Sequence, residues 1–132
     1  MYHMTQETHK PTVLIIDDDN FLLDMYALKF SQNGFAVVAE TSAGGALERI
    51  RDGLKPDVIL TDVLMPGMDG FTFLKHIQDE RLADQAKVIV LSNKGEKHDI
   101  DQGVSLGADG YIIKASMIPS EIVDKVRSIM GK

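Results

Sequence analysis

The chain reads as an α/β domain, a doubly wound (βα)5 unit built on one five-stranded parallel sheet of strand order 2-1-3-4-5. Two observations predict this class. Five short apolar runs punctuate the sequence, and a segment of helical periodicity follows each one. The runs are also continuous rather than alternating, as expected of strands covered on both faces, which is the habit of parallel sheets. A length of 132 residues with 44% hydrophobic content suits one compact domain with its own core. The expected division is a polar leader over 1–11 and a single domain over 12–132.

The predicted strands are "TVLII" (12–16), "FAVVAE" (35–40), "DVILT" (57–61), "KVIVLS" (87–92) and "GYIIK" (110–114). The first predicted helix carries Phe21, Leu22, Met25, Leu28 and Phe30 as its core stripe and stops at Asn33-Gly34, a good C-terminal cap. The second runs over 42–54 with Ala43, Ala46, Leu47 and Ile50 on one face. In the third, Phe71, Leu74 and Ile77 face the core behind an Asp69 cap. The fourth, within about 97–106, has the most dilute pattern, with Gly103 in it and few apolar residues. The fifth follows Pro119 and Ser120, its stripe formed by Ile122, Val123, Val126 and Ile129. Short connections between these elements imply right-handed crossovers with helices on both faces, the flavodoxin-like arrangement.

Composition excludes several function classes. A net charge of −6 and pI near 5.1, with Lys and Arg scattered, argue against direct nucleic-acid binding. There is no cysteine, hence no disulfide, thiolate metal site or thiol nucleophile. His3, His9, His76 and His98 lack metal-ligand spacing and read as solvated surface. No apolar stretch approaches the roughly 20 residues of a membrane helix. The polar start "MYHMTQETHKP" lacks the apolar segment of a secretory signal, so the expectation is a soluble, cytoplasmic protein without a membrane partner.

In doubly wound sheets, ligands bind beyond the carboxyl ends of the strands at the topological switch point, here between strands 1 and 3. Those ends carry Asp17, Asp18 and Asp19, then Asp62, Ser92 and Lys114. Singly each has an ordinary reading: a cap, a turn residue, a strand-end hydroxyl, a solvated charge. Together they form an acidic pocket whose like charges raise one another's pKa unless a cation intervenes. Mg²⁺, which prefers one or two carboxylates plus waters and phosphate oxygens, suits such a pocket. One Asp62 oxygen could then bind metal while the other acts as a nucleophile, with Lys114 and Ser92 neutralising a phosphoryl group in transfer. Asp19 and Asn20 are assigned to capping the first helix.

Four segments, "VLIIDDDN", "DVILTDVLMPGMDG", "VIVLS" and "GADGYIIK", resemble the successive motifs of the receiver domain of two-component response regulators, over residues 12 to 130. The resemblance implies that Asp62 is the phosphoacceptor, Asp17 and Asp18 the acidic metal pair, and the Leu64 carbonyl a further Mg²⁺ ligand. It implies the hydroxyl role for Ser92, the basic role for Lys114, and an aromatic switch at Tyr111 that turns inward when Ser92 moves toward the phosphoryl group. The implied partners are a sensor histidine kinase or histidine phosphotransfer protein. An output protein would dock on the face of helix 4, strand 5 and helix 5. No enzymatic activity is expected beyond the domain's own Mg²⁺-dependent phosphorylation and dephosphorylation. The chain ends soon after helix five, so no output domain is expected within it.

Three positions depart from the family pattern. Ala115 follows the lysine where proline in a cis peptide is usual, so the loop either keeps a costly non-proline cis bond or takes another path. Asn93 stands where a small residue is usual, able to hydrogen-bond a phosphoryl group or to crowd its donor. Leu64 is apolar where some relatives carry a polar residue, which predicts a longer-lived aspartyl phosphate. The rival readings are a phosphorylation-independent pseudo-receiver and an aspartate-nucleophile phosphatase. For the latter, "Asp17-x-Asp19" is similar to the start of haloacid-dehalogenase-type enzymes, but Phe21 stands at their Thr/Val position and no cap domain is evident. A flavin-binding flavodoxin is disfavoured by the acidic first loop.

Overall fold

The computed structural model describes residues 9–131; the leader's first residues, His3 among them, lie outside this range. Strands β1 (Thr12–Ile16), β2 (Ala36–Glu40), β3 (Val58–Thr61), β4 (Lys87–Ser92) and β5 (Gly110–Ile113) alternate with helices α1 (Asn20–Gln32), α2 (Ala43–Arg51), α3 (Gly70–Asp79), α4 (Lys97–Ser105) and α5 (Pro119–Met130). All pairings are parallel, in the order β2-β1-β3-β4-β5, which is the order the apolar runs predicted. Among the described residues no helix is long and apolar enough to cross a membrane.

Strand periodicity splits the core into two layers. Leu14, Ile16, Ile59 and Val90 face α2 and α3, packing on Ala46, Leu47, Phe73 and Leu74. Val13, Ile15, Leu60 and Leu91 face the opposite side and meet Leu23, Phe30, Ile122 and Val126 of α1 and α5. Both faces are covered, so the central strands are apolar at successive positions instead of alternating with polar ones.

The caps follow the residues that can make them. Asp19 accepts the Leu22 N–H at 3.1 Å, and Asp69 accepts that of Thr72 at 2.8 Å. Asn33 caps the end of α1 as predicted, and Gly34 takes the left-handed turn beyond it at φ +88°. Asn20 is the first residue of α1 rather than part of its cap.

One stripe is corrected. Phe21 and Leu28 are 76% and 60% exposed, and α1 instead buries Leu23, Tyr26 and Phe30. At about 100° per residue, Phe21 and Leu28 sit roughly 160° and 140° around the helix from Leu23, so neither can share its face. Leu22 and Met25 flank the buried stripe. Smaller adjustments concern ends: α2 stops at Arg51, short of the expected 54, and β5 stops at Ile113, so Lys114 opens a 3₁₀ turn (Lys114–Ser116).

Candidate functional site

The β1–β3 switch point gathers the predicted acids. Carboxylate oxygens of Asp17, Asp18 and Asp62 all lie within 4.8 Å of one another. Asp17 and Asp62 are buried and Asp18 is exposed, so the cluster is deep on one side and open to solvent on the other. Two backbone donors organise it: the Asp19 N–H reaches Asp17 Oδ1 at 3.0 Å, and the Val63 N–H reaches Asp62 Oδ1 at 2.7 Å.

Lys114 enters from the end of β5. Its ammonium lies 2.7 Å from Asp17 Oδ2 and 2.7 Å from Asp62 Oδ2, and its side chain is only 9% exposed. Burial alone would favour the neutral amine, but the two carboxylates outweigh it and hold the lysine above its ordinary value. Asp17 moves up as well, chiefly because burial penalises its charge, against the opposing pull of Lys114 and the Asp19 N–H. One ammonium against three carboxylates leaves two formal negative charges in the pocket, if all are ionised. An all-oxygen donor set with that charge fits a small hard divalent cation, and Asp17, Asp18 and Asp62 are the side chains that could hold it. Leu64 lies on the cleft wall two residues past Asp62 and is 63% exposed.

Ser92, Asn93 and Lys94 line the same cleft. Ser92 is buried at the end of β4, where its Oγ accepts the Lys94 N–H at 3.1 Å. The Tyr111 hydroxyl donates to the Lys94 carbonyl, so both predicted switch residues bond to the backbone of this one intervening residue. The Tyr111 ring lies over α4 at Gly103, where a Cβ would come within 3.1 Å of it. Burial first, then the negative charges of Asp99 and Asp62, pushes the phenol up to about 12.

Lys94 was given no role by the sequence reading. Its ammonium pairs with buried Asp99 at 3.1 Å, and Asp99 also accepts the Glu96 N–H at 3.0 Å. Burial pushes the Asp99 carboxyl up, but these partners and His98 outweigh it and hold it below its ordinary value. Gly70 was missed too. A Cβ there would sit 2.1 Å from the Asp62 carbonyl oxygen, so α3 can start against the Asp62 backbone only with glycine. The glycine beside the Asp69 cap was the available signal.

Ala115 resolves the choice posed by its sequence: no cis peptide occurs among the described residues, and the chain leaves β5 through the 3₁₀ turn. Asn93 turns its amide oxygen to the Ala115 N–H at 2.9 Å. His9, His76 and His98 lie at or near the surface, away from the pocket; His76 contacts Glu80, and His98 contacts Glu96 and Asp99.

This fold, with carboxylates at the β1 and β3 ends and a lysine at the β5 end, defines a receiver-type domain. The family model for the response regulator receiver domain matches residues 13–127, and the chain belongs to that family. It is 31% identical over 120 residues to the phosphate regulon transcriptional regulatory protein PhoB of Escherichia coli, covering 91% of this chain. It is 32% identical over 129 residues to the transcriptional regulatory protein CseB of Streptomyces avermitilis, covering 98% of this chain. The chain spans about half the length of both, 52%. Among solved structures, the Francisella response regulator 1452 receiver domain superposes with a TM-score of 0.82 at 27% identity, covering 92% of this chain and 98% of that one.

Proposed function

We propose that this receiver domain accepts a phosphoryl group on Asp62 from a phosphohistidine of a sensor histidine kinase or histidine phosphotransfer protein, and that the modification switches a protein-binding face. The observation that carries this reading is the Asp62 carboxylate, held between a backbone N–H and Lys114 and adjoining two further carboxylates at the mouth of a cleft. In the transfer, an Asp62 carboxylate oxygen forms a bond to phosphorus while the phosphorus–nitrogen bond to the donor imidazole breaks. The electron pair of that bond leaves with the imidazole, and Asp62 becomes a mixed acyl phosphate. A Mg²⁺ ion bound by Asp17, Asp18, Asp62 and the Leu64 carbonyl would supply charge neutralisation for the phosphoryl oxygens.

The remaining work belongs to the chain's own residues. Lys114 is positioned to meet phosphoryl oxygens, and Ser92 to give up the Lys94 N–H and turn its hydroxyl toward them. Ser92 and Tyr111 share Lys94, so a shift at Ser92 is felt by the tyrosine and by the face made of α4, β5 and α5, where the output protein binds. The domain acts on no other substrate and catalyses only its own phosphorylation and dephosphorylation. PhoB and CseB are named transcriptional regulatory proteins of about twice this length, so independence from nucleic acid is proposed for this segment alone.

An acyl phosphate is cleaved by hydroxylamine, whereas a phosphomonoester is not. Phosphorylated protein that loses its phosphoryl group to hydroxylamine, with the resulting hydroxamate mapped to Asp62, supports this reading. A hydroxylamine-stable phosphate would place the modification elsewhere.

A further inference from the structure

We infer that Asn93 is a positioning residue for phosphoryl transfer: its side chain clasps the turn after β5 to the end of β4 and so fixes the backbone from which Lys114 reaches the pocket. The proposal rests on the reading of Asp62 and Lys114 as the phosphoryl-transfer pair. The ladder between β4 and β5 ends at the Ser92–Ile113 pair. One position beyond Ser92, Asn93 Oδ1 accepts the Ala115 N–H at 2.9 Å, a side-chain bond across two strands whose regular pairing has ended. The clasp therefore sits next to the hydroxyl residue on one strand and next to the lysine on the other.

Its need follows from the local backbone. Lys114 opens a single 3₁₀ turn outside the sheet, and the bond closing that turn, from the Met117 N–H to the Lys114 carbonyl, is long at 3.5 Å. The ammonium must nevertheless serve two carboxylates at 2.7 Å each from a long flexible stem, so a loose root would blur its aim. The bond also depends on both residues. A proline at 115 has no N–H to offer, and an alanine or glycine at 93 has no side-chain acceptor to receive one. Only the amide oxygen can meet an N–H donor, which sets the orientation of the Asn93 amide.

The test uses the full chain with Mg²⁺ and two readouts. The first is amide hydrogen exchange at Ala115. Asn93→Ala is expected to speed it about tenfold, while Asn93→Asp, which keeps the acceptor, preserves protection. The second is the rate of phosphoryl uptake from acetyl phosphate. Asn93→Ala is expected to slow uptake about three- to tenfold, with no further loss when it is introduced into the Ala115→Pro background, because both changes remove one bond. Unchanged exchange, or two losses that multiply, would overturn the clasp. If the wild type takes up no phosphoryl group, the reading of the site fails, while exchange at Ala115 still decides whether the clasp exists.

Discussion

Lys114 and Asp62, 52 residues apart in sequence, meet through a 2.7 Å contact between ammonium and carboxylate, with Asp17 at the same distance from the ammonium. Removing one partner of a buried pair leaves the other charge without compensation, typically at a cost of about 3 kcal/mol or more. Lys114→Met should therefore destabilise the fold by about 3 kcal/mol in urea unfolding at pH 8 without Mg²⁺, and Mg²⁺ should restore part of the loss. The folded lysine titrates above its unfolded value of 10.5, so its contribution is complete below that pH and disappears as pH rises through the folded value. A difference under about 1 kcal/mol at pH 8 would count against the buried pair.

Tyr111 offers a second pH signature. Its phenol titrates at about 12 in the fold against about 10 unfolded, so the stability it supplies is present below pH 10 and lost as pH rises through 12. Absorbance titration of the folded protein should show a late phenolate step that Tyr111→Phe removes. If Tyr111→Phe instead removes a step near 10, the phenol is not buried beside Asp99 in solution as it is in this fold.

Gly70 predicts a steric effect. Gly70→Ala would place a methyl group 2.1 Å from the Asp62 carbonyl oxygen, and relief requires α3 or the Asp62 backbone to shift. Overpacking of this kind costs about 1–3 kcal/mol, measurable by urea unfolding, and phosphoryl uptake should slow as well because the acceptor moves. Unaltered stability would show that the helix start yields without strain.

Leu64 bears on lifetime. Its exposed apolar side chain on the cleft wall cannot orient a water for attack on the acyl phosphate. Leu64→Asn supplies a donor and an acceptor there and should speed dephosphorylation several-fold. Equal rates would remove the side chain from the hydrolysis step.

The sheet was legible because continuous apolar runs and their order depend on local chemistry alone, and β1 and β4 fall on the residues the runs marked. The meeting of Asp17, Asp18, Asp62, Ser92 and Lys114 at one edge of the sheet was legible for a related reason, since strand order dictates which ends converge. Phe21 and Leu28 misled because an apolar side chain does not announce which side of a helix it occupies. The Lys94–Asp99 pair and the Asn93–Ala115 bond were hidden because each depends on the path of a loop that no periodicity describes. Gly70 was hidden because its partner is the backbone of a residue in another element.

The central claim is that Asp62 accepts a phosphoryl group with the help of a divalent cation. Intact mass after incubation with acetyl phosphate and Mg²⁺ tests it most directly, beside an Asp62→Asn variant and a sample with excess chelator. The expected result is a gain of one phosphoryl group in the wild type and none in either control. An unmodified wild type whose Mg²⁺ binding is confirmed by calorimetry, or an equal gain in Asp62→Asn, would contradict it and favour a domain that binds its partners without phosphorylation at this site.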